Sequence, residues 1–545
     1  MATASSVPPA TQSAAVSPAS DVHEREQWPY GYGNFQRFIL CVAITGLAVL
    51  MCHSQVFSVI SGPVDHWCKP PARFANLSVQ AWKNIGIPMG RDGQYSQCLV
   101  YARPGVVPFN DSEKRAVAEC DEWDYDAERA HQTVRRHWNL VCYRGRFVGL
   151  GNGVFMSGAL LVVPAMGYVA DAMGRQPVIA AAVLSLCVSC LGCCFADTYS
   201  LFLAARFVAS GCVSTIFVVV FIMMYEVTPP ERTVLFVSIA SGAGNFLSEA
   251  FLLALVRQSL GWFALQIIAL SPTFVLLPAL LLIPESPQWL LTKYRFREAG
   301  RVMVAAARMN GLPAEETERS TRRLLRSLRG PKGGRSPSRL PLSPAAEFRC
   351  VYTRKRALVA CVLYFTSTLV FYAFTWAPAM RDSSARTLST ALSVPGHVVL
   401  YLALNVVARK QLLLLTLPLQ GILCCVYSAL VYEHMPAVVA VVVITSRECA
   451  FVTLAATFLY ITDSFHTGIR SVVVGAGYAS GRVGAVCASA LELLREQRSE
   501  DLGLALVALA VFVSVILLLW LPDEPVERFP VSPSPRASGT DFQRP

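Results

Sequence analysis

The chain has 545 residues, of which 54% are hydrophobic and 15% are charged, with a formal charge of +11 and a mean hydropathy of +0.46. This composition excludes an ordinary soluble domain. Basic residues concentrate in one loop between apolar runs, so the positive-inside rule explains the charge and no nucleic-acid partner is expected. About twelve apolar runs approach the roughly 20 residues that a helix needs to cross a bilayer, and their continuous character excludes a β-barrel. The sequence therefore predicts an all-α polytopic protein in a lipid bilayer.

The apolar runs are grouped around two long polar segments. Residues 1–27 are small and polar and lack the charged start and apolar stretch of a cleavable signal peptide. The basic loop separates the spans into two groups of six, as in transporters with pseudo-symmetric halves. We predict a cytoplasmic tail (1–34), the first transmembrane helix (35–59), a large extracellular loop (60–145), helices two to six (146–283), a cytoplasmic basic loop (284–356), helices seven to twelve (357–521) and a cytoplasmic tail (522–545).

The first polar segment has the features of an oxidising compartment. It holds four of the 17 cysteines and two glycosylation acceptors: Cys68, Cys98, Cys120, Cys142, Asn76 and Asn110. The cysteines predict disulfides in one of three connectivities. Many other cysteines lie within apolar spans, where we expect them to serve as small packing residues and not as a metal cluster. The segment is therefore predicted to be an extracellular, glycosylated loop.

Three ionisable residues lie inside spans ten and eleven: Arg447, Glu448 and Arg482. A charge at bilayer depth costs ~2.5–3.5 kcal/mol on insertion scales, so it normally faces a partner or a watery cavity. Adjacent residues point roughly 100° apart on a helix, so of the first two we expect Arg447 to face the cavity. Glu249, in span five, is a candidate partner for a buried arginine. With a histidine of span one and aromatic residues of span seven, the candidate solute-binding set is Arg482, Arg447, Glu448, Tyr364, Tyr372, Trp376 and His53.

A tight turn between spans two and three has the order G-x-x-x-D-x-x-G-R. Its glycines permit a sharp bend, while Asp171 and Arg175 are suited to charge contacts at the membrane face. This order matches the cytoplasmic signature of the major facilitator superfamily. Charges at other span ends, including Arg206 at the predicted start of span four, are expected to join it, either as a gate that breaks and re-forms or as static contacts. The predicted gate consists of Gly167, Asp171, Gly174, Arg175, Arg206, Glu226, Arg232, Glu285, Asp463 and Arg470.

Further motifs extend the similarity to nearly the whole chain, which resembles solute carrier family 22, the organic cation, anion and zwitterion transporters. These motifs are Asp65-His66-Trp67-Cys68, Trp138-Asn-Leu-Val-Cys142 and Pro284-Glu285-Ser286-Pro287-x-Trp289-Leu290. The resemblance implies a major facilitator fold of twelve transmembrane helices in two six-helix bundles, with a central cavity and alternating access. It also places Arg482 where anion-transporting members carry arginine and cation-transporting members carry aspartate, and Arg447 where members carry lysine.

Departures from the family pattern indicate a divergent member. Ala172 and Gln176 stand where basic residues are usual, and the second-half copy of the gate signature is reduced to Arg409-Lys410. The leading interpretation is a plasma-membrane transporter of small organic anions or zwitterions, working by facilitated diffusion or exchange. Because the gate signatures are eroded, the alternative is a transport-inactive receptor or scaffold that uses the large loop. No GxxxxGK[ST] phosphate loop and no nucleophile–base or metal-ligand spacing is apparent, so we expect neither enzyme activity nor a cofactor.

Overall fold

The computed structural model describes residues 29–521, apart from 63, 91–92, 103, 105–115, 127–132, 259, 330–347, 382, 431–434, 466, 468 and 497–499. The predicted acceptor Asn110 and most of both predicted tails lie outside these residues. The described chain is built almost entirely of helices, with two short sheets in the first polar segment. Apolar runs form helices in a bilayer because a helix satisfies its backbone hydrogen bonds internally.

The first span, α1 (Asn34–Ile60), is followed by a small folded unit, which we call the loop module (residues 64–145). It contains β1 (His66–Cys68), α2 (Val79–Gly86), β2 (Leu99–Tyr101), β3 (Val117–Glu119), β4 (Trp123–Tyr125) and α3 (Val134–His137). Strand β1 pairs antiparallel with β4, and β2 pairs antiparallel with β3. Disulfides join Cys68 to Cys120 and Cys98 to Cys142, which is one of the predicted connectivities. Asn76, the other predicted acceptor, is exposed.

The remaining spans of the first half follow in order. They are α4 (Arg146–Met173), α5 (Arg175–Cys194), α6 (Tyr199–Val227), α7 (Pro230–Val256) and the pair α8 (Trp262–Leu270) and α9 (Leu276–Leu282), which are joined by a 3₁₀ turn. The loop module is anchored on these helices. Arg135 Nε donates a hydrogen bond to the carbonyl of Ser61 at the end of α1 (2.8 Å), and the ring of Trp138 lies 5.4 Å from those of Tyr199 and Trp262. We call this side of the bundle the loop end.

The basic loop forms three helices that pack beneath the first half. These are α10 (Pro287–Thr292), α11 (Phe296–Met309) and α12 (Ala314–Arg329). Asn310, just after α11, accepts a hydrogen bond from the backbone N–H of Phe35 (2.8 Å) and donates one to the carbonyl of Tyr30 (2.7 Å). This side chain fixes the basic loop to the first turn of α1.

The second half contains α13 (Val351–Thr375), α14 (Ser383–Val406), α15 (Arg409–Leu430), α16 (Pro436–Ser464), α17 (Arg470–Glu496) and α18 (Glu500–Leu519). In the described chain, 11 segments are long and apolar enough to cross a membrane, and the apolar part of α18, Gly503–Leu519, is shorter. Helix α16 begins well before Arg447, so this residue lies within a helix and not at the start of one.

Two seams join the halves: α4 packs against α17, and α7 packs against α14. The helices of the first seam approach each other closely. A Cβ atom at Gly167 would lie only 2.7 Å from the carbonyl oxygen of Ser471. Within the second half, α13 and α17 approach equally closely, since a Cβ at Gly484 would lie 2.3 Å from the carbonyl oxygen of Phe365. Small residues allow such close helix contacts in membranes. Several of the charged residues described below lie between the two halves.

Candidate functional site

The turn between α4 and α5 holds a buried arginine against two carboxylates. Arg175 is fully buried, and its Nη2 lies 3.0 Å from Asp171 Oδ1 and 3.0 Å from Glu226 Oε1. Glu285, after α9, accepts hydrogen bonds from the backbone N–H groups of Arg175 (2.9 Å) and Gln176 (3.2 Å). Burial raises the pKa of Glu285 above its usual value, and the hydrogen bonds from these N–H groups act in the opposite direction.

Gly174 makes this arrangement possible. Its φ is +121°, and a Cβ atom there would lie 2.3 Å from Glu285 Oε2. Only glycine readily combines this backbone conformation with such a close contact. The last glycine of the signature therefore lets Glu285 approach the start of α5.

The second half contributes to the same group of charges. Contacts between the halves here include Val472 N–H to Asp171 Oδ2 (3.0 Å), Arg175 Nη2 to the carbonyl of Thr467 (3.3 Å), and Arg470 Nη1 to Glu226 Oε1 (3.5 Å). We call Asp171, Arg175, Glu226, Glu285 and Arg470 the Arg175 cluster, and its side of the bundle the Arg175 end. Because these contacts join both halves, the bundle is closed at this end.

Two further residues of the predicted gate lie near this end but use other partners. Asp463, in the last turn of α16, accepts a hydrogen bond from the hydroxyl of Tyr225 and pairs with Arg409 at the start of α15. The guanidinium carbon of Arg232 lies 3.9 Å from the ring centroid of Tyr32. Arg409 therefore keeps an acidic partner, although the sequence around it has lost the signature.

The prediction that Arg206 belongs to this gate is wrong. Helix α6 begins at Tyr199, so Arg206 lies within it near the loop end, whereas Glu226 is at its other end. Its guanidinium carbon lies 4.6 Å from the ring centroid of Phe57 and 4.8 Å from that of Phe155. Aromatic faces stabilise a cation inside an apolar helix, so the charge did not mark the start of the span.

Another buried arginine lies at the centre of the bundle, on α17. Arg482 Nη1 donates a hydrogen bond to the hydroxyl of Tyr372 (3.0 Å) and lies 3.5 Å from Met156 Sδ. Its Nη2 donates to the hydroxyl of Tyr478, which in turn donates to Ser214 Oγ (3.3 Å). Met156 and Ser214 belong to the first half and the two tyrosines to the second. Arg482 therefore lies between the halves.

The partners of Arg482 are neutral. The side chain is 5% exposed, and it forms no ion pair with any residue that the structure describes. Phenol hydroxyls and a thioether supply hydrogen-bond acceptors without cancelling the positive charge. In a low-dielectric interior, such a charge interacts strongly with any anion that approaches it.

The other candidate solute contacts are divided between this centre and the helix packing. The rings of Tyr372 and Trp376 lie 4.9 Å apart, and Trp376 is half-buried. Tyr364 is buried against α17, where its ring covers a glycine. His53 Nε2 lies 3.0 Å from Thr273 Oγ1, inside the first half. The observed contacts of Tyr364 and His53 are those of helix packing.

Arg447 is held by acids, in contrast to Arg482. Its Nη1 lies 2.7 Å from Glu448 Oε1, and its Nη2 pairs with Glu249 on α7. Arg447 Nη1 also donates to Ser389 Oγ on α14, and the Ser389 hydroxyl donates to Glu448 Oε1 (2.8 Å). We therefore replace the predicted solute contact at Arg447 with a contact between the halves, because its guanidinium is already occupied by two carboxylates.

Several of these partners were not predicted. Tyr478 lies one helical turn before Arg482, a spacing that the sequence displays. Met156 and Ser389 carry no such signal, because they meet the arginines only through the packing of distant helices.

The sequence matches the profile of the Major Facilitator Superfamily over residues 143–489. The Beta-alanine transporter of Drosophila melanogaster is 27% identical, over 72% of this chain and 70% of that protein. Solute carrier family 22 member 6 of Rattus norvegicus is 25% identical, over 86% of this chain and 85% of that protein. Organic anion transporter 3 of Homo sapiens is 24% identical, over 85% and 84%.

The solved structures show the same fold. The proton:xylose symporter XylE bound to 6-bromo-6-deoxy-D-glucose superposes with a TM-score of 0.60 at 13% identity, covering 90% of this chain and 96% of that one. The profile match spans more than half of the chain, and the expected all-α polytopic fold is confirmed. The chain therefore belongs to the major facilitator superfamily, within which it resembles the transporters of solute carrier family 22.

Proposed function

We propose that this protein carries small organic anions or zwitterions across the plasma membrane by alternating access. The observation that supports this proposal most directly is Arg482, a buried cation between the two halves whose partners are neutral. A carboxylate or sulfonate of the solute is the natural counter-charge for this guanidinium, and an organic cation is repelled by it.

The neighbours of Arg482 suit an organic solute. Tyr372 and Trp376 offer apolar ring faces beside the charge, and Met156 adds a polarizable thioether. The solute's anionic group binds the guanidinium while its carbon skeleton contacts these side chains. Relatives whose names state a β-alanine or an organic anion activity fit the same solute chemistry.

The cycle needs contacts between the halves that break at each end in turn. At the Arg175 end, a hydrogen bond joins α17 to α4 and an ion pair joins α17 to α6. Nearer the loop end, Arg447 on α16 pairs with Glu249 on α7 across the halves. Opening one end releases its polar contacts while the other set stays formed. We place the loop module outside the cell and the Arg175 end in the cytoplasm, because disulfides and an exposed sequon suit the former and the basic loop suits the latter.

Uptake in transfected cells tests this proposal. The probes are radiolabelled β-alanine and p-aminohippurate, and the variants are Arg482→Ala and Arg482→Lys, each corrected for protein at the cell surface. A hydrogen bond to a charged group contributes about 1.5–3 kcal/mol, so Arg482→Ala is expected to lower uptake by about 10- to 100-fold, with partial activity in Arg482→Lys. Uptake equal to that of empty cells for a broad panel of organic anions and zwitterions contradicts the proposal.

The receptor alternative is not favoured. It was based on eroded gate signatures, but the Arg175 cluster is fully assembled and Arg409 retains its pair with Asp463. These contacts are what a conformational cycle requires.

A further inference from the structure

The ion pair between α7 and α16 contains two carboxylates for one guanidinium. Arg447 pairs with Glu249 through Nη2 and with Glu448 through Nη1 (2.7 Å). The residues Arg447, Glu249 and Glu448 are 1%, 9% and 8% exposed. One guanidinium thus faces two carboxylates inside the bundle, which leaves a formal charge of −1 when both acids are ionised.

No other charge compensates this excess among the described neighbours. Helix α1 supplies the Gln55 amide, which donates to Glu249 Oε1 (3.1 Å), and the Cys52 thiol within electrostatic range of the same carboxylate. Helix α13 supplies the Thr375 hydroxyl, 3.3 Å from Arg447 Nε, and the Phe371 ring, whose centroid lies 5.3 Å from the guanidinium carbon. Helix α14 supplies the hydroxyl of Ser389. All of these groups are neutral in their ordinary states.

One oxygen of this site has no partner among the residues that the structure describes. Glu448 Oε2 is buried and forms no hydrogen bond with any described residue. An ionised carboxylate oxygen in that position costs free energy, because burial removes its hydrogen bonds to water and no described group replaces them. Two carboxylates that share one site do not both stay ionised at low cost, and taking up one proton removes the excess charge. The proton then belongs to the pair of acids as a unit.

We propose that Glu448 and Glu249, held by Arg447, form the binding site for a proton that is moved with the solute in each transport cycle. The inference rests on the proposed transport function, and it adds a coupling ion to it. The step is simple: a carboxylate oxygen, Glu448 Oε2, takes a proton from hydronium, and releases it to water later in the cycle.

The location of the three residues couples this proton to the movement of the halves. Glu249 belongs to the first half, whereas Arg447 and Glu448 belong to the second. When the halves separate here, Arg447 and Glu448 remain together as a neutral pair, and Glu249 is left in a water-filled opening without a second carboxylate beside it. Closure therefore binds a proton and opening releases it.

A line of polar residues on α14 leads from this site along the seam toward the Arg175 end. Ser389, Ser393 and His397 are spaced four residues apart, so they share one face of the helix. His397 Nδ1 donates to the carbonyl of Ser393 (2.8 Å), and its Nε2 has no partner among the described residues. On the facing helix α7, a Cβ atom at Gly242 would lie 2.9 Å from His397 Cβ. The histidine thus lies at the seam with a free proton acceptor.

Transport in proteoliposomes tests the coupling. The full-length protein is reconstituted, and the uptake of β-alanine and p-aminohippurate is measured with and without an inward proton gradient, at a membrane potential clamped by valinomycin and potassium. Solute counterflow, which needs no gradient, measures transport itself. For one proton per solute, a gradient of about one pH unit supports up to about tenfold accumulation.

The variants Glu448→Gln and Glu249→Gln are expected to give the same result. Each leaves one acid for one arginine, so each pair is neutral and the ratio of uptake with the gradient to uptake without it falls to one. The matched control is Glu231→Gln, an exposed acid in the first turn of α7, which keeps the wild-type ratio. A wild-type protein that performs counterflow but ignores the proton gradient, or a stimulation that persists in both variants, overturns the proposal.

Infrared difference spectroscopy provides a measurement that does not depend on transport. Spectra of the purified protein at about pH 5 and about pH 8 are compared without solute, and the carbonyl band of a protonated buried carboxyl group is followed in water and deuterated water. Burial also raises the pKa of Glu285, so its band is expected in every variant. Beside it, we expect a band in the wild type and in Glu231→Gln that is lost in both seam variants. If counterflow fails altogether, the transport proposal fails, and this band alone decides whether the seam binds a proton. If both variants retain every band of the wild type, the site is refuted.

Discussion

Arg482 and Arg447 are two arginines of the same half, both buried, one helix apart, with opposite surroundings. The positive charge of Arg447 is exceeded by the two negative charges of the ionised Glu249 and Glu448 carboxylates. Arg482 is held in position by tyrosine hydroxyls and a thioether, and no described acid pairs with it. The comparison shows that burial of a charge does not by itself identify a solute site. The partners decide, because a cation that already has its acids does not attract a further anion.

The stability of the protein is the largest expected difference between the two arginines. Arg447→Met leaves two buried carboxylates without a counter-charge, which costs about 3–5 kcal/mol for a buried pair that loses one partner. Arg482→Met leaves only neutral groups behind and is expected to change stability little. Thermal unfolding of the purified proteins in detergent measures both.

The reason for the difference is tested by compensation. Replacing Glu249 and Glu448 with glutamine in the Arg447→Met background removes the unpaired charges and is expected to restore most of the lost stability. Equal destabilisation by Arg447→Met and Arg482→Met contradicts the comparison.

A smaller effect is expected where Arg482 is held in position. Tyr372→Phe removes the hydroxyl that accepts from Nη1, and we expect a loss of only about 0.5–1.5 kcal/mol because Tyr478 and Met156 still hold the guanidinium. We expect the KM for p-aminohippurate to rise about two- to tenfold, while the thermal unfolding of the protein stays close to that of the wild type. Tyr364→Phe is the control, because its ring packs against α17. An unchanged KM in Tyr372→Phe argues against a role of this hydroxyl in solute binding.

The smallest expected effect is a change in the labelling of one cysteine, which reports the orientation of the protein in the membrane. This orientation decides to which membrane face each arginine is closer. Cys350 is exposed just before α13, and hydrogen bonds from the backbone N–H groups of Thr353 and Tyr352 lower the pKa of its thiol. The reactive thiolate is therefore more abundant at neutral pH than for an ordinary exposed cysteine, and acidification slows its reaction only at a lower pH.

An impermeant maleimide is expected to label Cys350 only after the cells are permeabilised, with Cys350→Ser as the control. Labelling of intact cells places the Arg175 end outside and reverses the assignment of the two ends to the membrane faces.

The fold followed from sequence features that act locally. Continuous apolar runs predicted the spans, and the order of glycines, Asp171 and Arg175 predicted the tight turn that the structure contains. Arg206 shows the limit of such reasoning, because its charge predicts the start of a span, whereas aromatic rings stabilise it inside the helix.

The site depended on contacts between residues far apart in the chain, which one sequence does not reveal. The position of Arg447 inside a span predicts a solute contact. Its role depends on Glu249, which lies 198 residues earlier in the sequence. Arg482 could be singled out because a charge in a span is costly, whereas the neutrality of its partners became apparent only from the packing of α4, α6 and α13 around it.

The anchoring of the loop module has a consequence for how the cycle is observed. Its chain leaves α1 and returns to α4, and Arg135 and Trp138 attach it to helices of the first half. The disulfides make it stiff. An antibody fragment bound to this module therefore rotates with the first half as one rigid body. Because the fragment extends far from the membrane, a rotation of a few degrees between the halves moves its outer end, relative to a probe on α15, by a distance large enough to measure.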